Sequence, residues 1–444
     1  MLSRSDTVSI ILAAGKGTRM KSDLPKVLHP IGGLPMLGHA MRAAQQAGLS
    51  ETIIVVSPGQ DSIEAFAKDF SASASMALQP QQKGTGDAVK AAMPLAAHVQ
   101  RAVVMFGDTP LMRPETLRQL ADSQAQLCVL GFTPADPDGY GRILLSEDHT
   151  PTEIIEHKDA SEELRQVTLC NGGAMAIDRV VLEQCLDQLK NNNAQGEYYL
   201  PDLVKLAVEG GFTTDLVIGD VHDTMGVDSR LGLAKAENIF QSRRRQHFLM
   251  SGVTLQSPET VHFSHDTDIE PDVVIEPHCV FGPDVRIASG SLIKAFSHLE
   301  GARVGMNAVI GPYARLRPGT VLEAGVKIGN FVETKKAKIA DGAKVNHLSY
   351  IGDAEIGAGV NIGAGTITCN YDGFNKHKTV IGAGAFIGSN TSLIAPVEIG
   401  AGAYVGSSSA LSADVGADAL AVTRAPARTI EGWARKFRDK NSKG

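Results

Sequence analysis

An α/β half followed by a parallel β-helix is the fold class that this 444-residue sequence predicts, and three observations carry it. Apolar strand-like runs alternate with amphipathic helical stretches in the first half. An aliphatic residue returns at every sixth position through much of the second. A single long helical segment, 230–250, separates the two patterns.

The first half, 1–229, carries apolar runs at Val8 to Leu12, Ile53 to Val56 and Val103 to Phe106, with helical stretches such as Met36 to Ala47 between them. Such alternation predicts a parallel sheet covered on both faces, with ligands bound beyond the C-terminal ends of its strands. The connecting segment, 230–250, has Leu233, Ile239, Phe240 and Phe248 as a loose apolar stripe and Ser251-Gly252 as its stop, while Arg243, Arg244 and Arg245 read as a solvated face.

In the remainder, 251–444, Val304, Ile310, Leu316, Leu322 and Ile328 keep the six-residue beat. So do Ile356 and Ile362, then Ile381, Ile387, Leu393, Ile399, Val405 and Leu411, with glycine after six of these last eight. Neither a helix nor an ordinary sheet has this period. In a β-helix each hexapeptide forms one side of a coil, its aliphatic residue points inward, and coils stack roughly 4.8 Å apart. Glycine is expected at the corners, where positive φ is required. The beat loosens between Ile328 and Ile351 and breaks between Thr368 and Ile381, and polar residues gathered at such interruptions suggest a site. After Asp418 the beat ends in a tail with a basic finish, where Trp433 is expected to anchor packing and the last few residues to be disordered.

Hydrophobic residues make up 43% of the chain, mean hydropathy is -0.03, net charge is -7 and the isoelectric point is near 6.0. These values argue for a soluble globular protein with ample core and against a nucleic-acid or membrane-surface partner. Neither a signal peptide nor a membrane span is expected. The five cysteines are odd in number and scattered, without the close pairs of a zinc or redox site, so reduced thiols in the cytoplasm are expected.

Directly after the first strand stands LAAGKGTRM, from Leu12 through Ala13, Ala14 and Gly15 to Arg19, with Pro25-Lys26 six residues on. Small residues let backbone N–H groups close on a polyphosphate, and Arg19 and Lys26 offer charge to the same oxygens. The Walker ending GK[ST] is absent. The whole string GKGTRM followed by LPK resembles the signature of the sugar-nucleotide pyrophosphorylases, nucleotidyltransferases of a Rossmann-like fold. That resemblance implies base recognition at Gln79 with Gly84 and Thr85, nucleotide contacts at Phe106 and Gly107, and contact with an amino-sugar from Gly141, Glu156 and Asn171. It also implies Mg²⁺ held by Asp108, at the end of a strand, and by residue 228. The family has asparagine at that second position, in a Gly-Val-Asn segment, where this chain has Asp228. An oxygen ligand is kept, with an added negative charge.

The strings ARLRPG (from Ala314), GNFVETKKA (from Gly329), HLSYIGDAEIG (from His347) and NIGAGTITCNYDG (from Asn361) resemble the bacterial bifunctional family of N-acetylglucosamine-1-phosphate uridyltransferase and glucosamine-1-phosphate acetyltransferase. With the N-terminal motifs, the similarity covers nearly the whole chain. It implies a left-handed β-helix, UTP and acetyl-CoA as co-substrates, and a homotrimer with acetyltransferase sites built across subunits. His347 matches the general base, a role that suits an ordinary pKa near 6.5, and Glu333 the residue that orients it. Arg317, Lys335 and Lys376 match phosphate-binding positions, and Tyr350 and Asn361 other sugar contacts. Ala364, Ser389 and Arg424 match acetyl-CoA positions, with Asn370 and Tyr371 lining the same pocket and Ser407 standing where alanine is common. Two alternatives stay open on the residues: a nucleotidyltransferase for another sugar whose β-helix only regulates or oligomerises, and a non-catalytic subunit like the translation-initiation exchange-factor subunits that combine these two modules.

Overall fold

The computed structural model describes residues 6–49 and 51–442. The chain forms two compact units, Met1–Arg243 and Arg244–Gly444, divided within the helix Arg230–Met250.

In the first unit the strand Thr7–Leu12 lies between Glu51–Val56 and Arg101–Phe106, parallel to both, and Ala74–Leu78 continues the sheet beside Glu51–Val56. Val8, Ile10 and Leu12 pack with Ala88, Val89 and Ala92 of the helix Thr85–Ala92, while Ile11 faces Leu37, Ala40 and Ala44 of the helix Met36–Gln46. Both faces are thus covered, as alternation of strand and helix requires. On the other side of Arg101–Phe106 runs Cys170–Asp178, antiparallel to it and to Leu127–Phe132, which in turn pairs in parallel with Thr214–Ile218. The sheet is therefore mixed where a parallel one was expected. The cause is the connection: between Leu127–Phe132 and Cys170–Asp178 the chain makes a hairpin, Arg142–Leu145 with Pro151–Ile155, in place of a crossover helix, so it returns reversed.

In the second unit, ten short strands from Thr254–Leu255 to Leu420–Ala421 stack in parallel along one face, and two further parallel series complete each coil. Val274 pairs with Leu292, Leu292 with Val309 and Val309 with Lys327, about three hexapeptides per coil. Every aliphatic residue of the beat lies in one continuous buried core. That core starts earlier than the beat was read: Leu255, Phe263, Ile269, Ile275, Phe281, Ile287, Ile293 and Leu299 occupy the same inward positions. Two are phenylalanine and glycine follows only Phe281, which hides the repeat.

The looser stretch after Ile328 is likewise unbroken coil. Thr334 takes the inward slot, its hydroxyl 3.0 Å from that of Thr320, and Thr368 does so later, donating to the Gly352 carbonyl at 3.0 Å. Between Ile328 and Ile381, residues 370–376 leave the coil as a loop closed by a bridge between Tyr371 and Lys376.

The glycines of the beat have a different cause from the one expected. A Cβ on Gly363 would stand 2.5 Å from the Ser389 nitrogen, and one on Gly388 2.4 Å from that of Ser407. The backbone of the next coil needs that space. Positive φ falls elsewhere, often on non-glycine corner residues such as Phe331, Leu348, Asn390 and Ser408.

Residues 230–250 are helical as expected. Leu233, Ile239 and Phe240 pack with Ile31, Leu111 and Val227 in the first unit, and Phe248 enters the end of the β-helix core against Phe263. The three arginines are not a solvated face. Arg243 donates to the Leu111 carbonyl at 2.7 Å, Arg244 to that of Thr267 and Arg245 to that of Val261 at 2.9 Å, because each meets backbone oxygens with no partner in a strand. Trp433 begins a short exposed helix, Trp433–Asn441, and stacks on Phe437 at 5.1 Å. Of the chain end expected to be disordered, residues 443 and 444 lie outside the described residues.

Candidate active sites

The parallel strands of the first unit end at a common rim, with Leu12 in register with Phe106 and Val56 with Leu78. The residues that follow them line a cavity of about 340 Å³: Leu12, Ala13, Ala14 and Gly15 from the first loop, Gln79, Gly84 and Thr85 from another, and Lys26, Phe106 and Asp108. Gly17 allows this closeness, since a Cβ there would stand 2.5 Å from that of Lys26. A second cavity of about 360 Å³ holds Gly141, Glu156 and Asn171 and shares Thr85, Phe106, Asp108 and Glu197 with the first. The two meet at Asp108.

Gln79 is 3% exposed, and its amide nitrogen donates to Asp87 at 2.8 Å and to the Gly84 carbonyl at 3.1 Å. Its orientation is thereby set. Lys26 forms an ion pair with Asp108, and Arg19 with Asp228. The Val227 amide donates to the Asp108 carbonyl at 2.9 Å, so the two aspartates sit on neighbouring backbone. Gly107 lines neither cavity; it is buried, its amide bonded to the Leu12 carbonyl at 3.0 Å. Arg19 and Asp228 also lie outside both linings. Burial, with Asp202 and Asp159 nearby, pushes the Glu156 carboxyl above the usual range, and burial pushes Asp202 to about 6.

The run Asn191 to Tyr199 matches the family in sequence without singling out Glu197 or Tyr199, and Gln82 carries no such match. Gln82 donates to the Ala14 carbonyl and, at 2.8 Å, to the Ser57 hydroxyl, which ties two loops of the cavity together. Its place three residues after Gln79 was the available signal. Tyr199 lines the second cavity from the run Asn191 to Tyr199, where polarity alone did not separate it from its neighbours.

In the second unit, one corner column unites four expected residues from four successive coils. Gly365 donates to the His347 carbonyl at 3.3 Å, Asn390 to that of Ala364 at 2.7 Å and Ser408 to that of Ser389 at 2.7 Å. His347, Ala364, Ser389 and Ser407 therefore each stand just before the positive-φ corner of their coil. Arg424 closes the column, donating to the Ser407 carbonyl at 2.6 Å.

A cationic group forms around another turn of the coil. Lys376 lies close enough to Lys335 to hold its pKa below the usual lysine value, with Arg317 adding to the effect, and Tyr350 is in register with Glu333. Asn370 is 7% exposed and donates to Asp353, while Tyr371 stands out in the loop. The Asp372 carboxylate, held far below its usual range first by the Asn375 amide, braces that loop with bonds from Asn375 at 2.6 Å and His377 at 2.8 Å. Asn361 is on the face that carries Lys344 and Phe386, away from the cationic group. The expected partnership of Glu333 with His347 is absent. Glu333 accepts from Arg317 at 2.7 Å, and His347 Nδ1 lies 2.8 Å from Asn330 Oδ1, because Asn330 is the residue in register with His347.

The model of the MobA-like NTP transferase domain matches residues 9–186, and that of the bacterial transferase hexapeptide matches 378–413. A protein of Azorhizobium caulinodans named bifunctional protein GlmU is 50% identical over 442 residues, covering 98% of this chain and 98% of its own. The chain belongs to the bifunctional GlmU family. GlmU proteins of Jannaschia sp. (49% identical, 97% of this chain and 95% of theirs) and Zymomonas mobilis (46%, 98% and 98%) match over the same extent. GlmU membership joins a nucleotidyltransferase domain of Rossmann-like fold to a left-handed β-helix of hexapeptide repeats, the two architectures described above. No helix among the described residues is long and apolar enough to cross a membrane.

Proposed function

We infer that this chain carries both activities of its family. Glucosamine 1-phosphate is acetylated by acetyl-CoA in the β-helix half. UMP is then transferred from UTP to N-acetylglucosamine 1-phosphate in the α/β half, giving UDP-N-acetylglucosamine, a precursor for cell wall and lipopolysaccharide, and pyrophosphate. The observation that carries most of this reading is the meeting of two cavities at Asp108, one beside the Gly-rich loop and the other beside Glu156 and Asn171. A nucleotide and a sugar phosphate entering from either side would bring phosphorus and attacking oxygen together there.

With the Gln79 amide nitrogen already engaged, its oxygen is left to accept the N3–H of uracil, a proton that cytosine lacks. Lys26 and Arg19 neutralise the triphosphate. The sugar phosphate oxygen attacks the α-phosphorus in line, the bond to pyrophosphate breaks, and no covalent enzyme intermediate is needed. Asp108 and Asp228 are the residues that would hold Mg²⁺. No group of three or more His, Cys, Asp or Glu side chains among the described residues is placed to hold a metal ion, and Mg²⁺ usually keeps several waters and takes substrate phosphate oxygens beside one or two carboxylates. When bound, it supplies positive charge to the phosphate oxygens.

In the second reaction centre His347 accepts a proton from the sugar amine as its nitrogen attacks the acetyl carbonyl; the C–N bond forms, the C–S bond breaks and coenzyme A leaves as the thiol. Arg317, Lys335 and Lys376 hold the sugar phosphate, and Tyr350 the sugar. Coenzyme A follows the small-residue column of Ala364, Ser389 and Ser407 to Arg424, beside Asn370 and Tyr371. A homotrimer would supply Asn361 from a neighbouring copy, since within one chain it lies apart from the cations. The domains follow as 1–229 for uridyl transfer, 230–250 as connector and 251–444 for acetyl transfer, in a cytoplasmic enzyme.

A coupled assay with glucosamine 1-phosphate, acetyl-CoA, UTP and Mg²⁺ tests the reading, following free thiol and UDP-N-acetylglucosamine. Wild type is expected to form both. His347→Ala should lose thiol release yet still uridylylate supplied N-acetylglucosamine 1-phosphate, and Lys26→Ala should do the reverse. Wild-type protein that releases no thiol would reduce the β-helix to a scaffold.

A further inference from the structure

We propose that Asn330 is a positioning residue for acetyl transfer, its amide oxygen holding His347 as the Nδ1–H tautomer so that Nε2 is free to take the amine proton. This rests on the reading of His347 as the base. Asn330 and His347 are register partners on adjacent coils, and Asn330 Oδ1 lies 2.8 Å from His347 Nδ1. The Leu348 amide donates to the Asn330 carbonyl at 3.0 Å, which pins the two residues at the same corner. Both precede a positive-φ residue, Phe331 and Leu348, so the backbone aims their side chains alike.

A neutral imidazole has one N–H, and an amide oxygen can only accept. The contact therefore puts the proton on Nδ1 and the lone pair on Nε2. The Glu333 carboxylate, three residues after Asn330, is engaged by Arg317 and lies in register with Tyr350, one position set beyond the corner. Asn330 thus stands in the same corner column as His347, Ala364, Ser389 and Ser407.

Steady-state thiol release against pH in wild type, Asn330→Ala, Asn330→Asp and His347→Ala tests the assignment, with uridyl transfer, in which Asn330 takes no part, as the check on folding. Asn330→Ala is expected to lower kcat by at least about tenfold, with KM for either substrate moving no more than about threefold. Asn330→Asp keeps an acceptor in place and adds charge; it should retain most of the kcat and move the acidic limb of the profile to higher pH. An Asn330→Ala enzyme with wild-type kcat and profile overturns the proposal, as do two variants equally impaired with the limb unmoved. Thiol release that survives in His347→Ala would instead remove the base itself, and the proposal with it.

Discussion

Asp228 shows how much one atom can alter at the residue scale. Asparagine would give the same oxygen without charge; the carboxylate instead takes Arg19 as its partner. If Asp228 is a metal donor, Asp228→Asn should raise the Mg²⁺ concentration for half-maximal uridyl transfer by about fivefold while lowering KM for UTP, since one negative charge beside the phosphates is gone. A Mg²⁺ titration that does not move would exclude residue 228 from the metal site. Asp202 offers a second test. Burial, with Asp159 and Glu153 nearby, lifts its pKa from 3.8 to about 6, so the folded state binds the extra proton between those values. Its cost to stability is absent below about pH 4 and complete above about pH 6. Asp202→Asn should therefore stabilise the protein at pH 7.5 by on the order of 2 kcal/mol and have almost no effect at pH 4. Denaturant unfolding at the two pH values gives the comparison.

Among the elements, the hexapeptide corner carries the most instructive difference between pattern and cause. Glycine after the inward aliphatic residue suggests a source of positive φ, but Gly388 is needed because the Ser407 backbone passes 2.4 Å from where its Cβ would be. Gly359, at φ +68, has nothing within 4 Å of that point. Gly359→Ala should then cost about 1–2 kcal/mol, from backbone strain alone. Gly388→Ala must move a coil and should cost more, at least about 3 kcal/mol. Thermal unfolding of the two variants would rank them, and equal losses would return the beat glycines to a conformational role. The interior threonines show the same limit of pattern. Thr334 and Thr368 fill inward slots because a neighbouring hydroxyl or carbonyl takes their hydrogen bond, which no period of aliphatic residues reveals.

On the scale of the whole molecule, the two proposed reaction centres differ in how many of their residues a single chain brings together. Most residues proposed for uridyl transfer line one pair of joined cavities, with Arg19, Gly107 and Asp228 outside the linings, whereas Asn361 lies apart from Arg317, Lys335 and Lys376. On dilution, acetyl transfer per chain should fall while uridyl transfer per chain stays constant, with sedimentation reporting the loss of a three-chain species. Acetyl transfer that is independent of concentration down to the monomer would remove the need for a neighbour.

Sequence by itself determined the division into an α/β half and a β-helix, the Gly-rich loop with Lys26, and the strings around His347 and Asn361, because periodicity and short motifs are local and survive without a fold. Tertiary structure decided what depends on register and return path. It reversed the strand Cys170–Asp178 through a hairpin, carried Phe263 and Phe281 into a repeat they disguise, and gave the three arginines backbone carbonyls to hold. It also paired His347 with Asn330 and left Glu333 to Arg317. Residues 17 apart become neighbours only when coils stack, and the side chain that faces a histidine across that gap is chosen by the length of each turn.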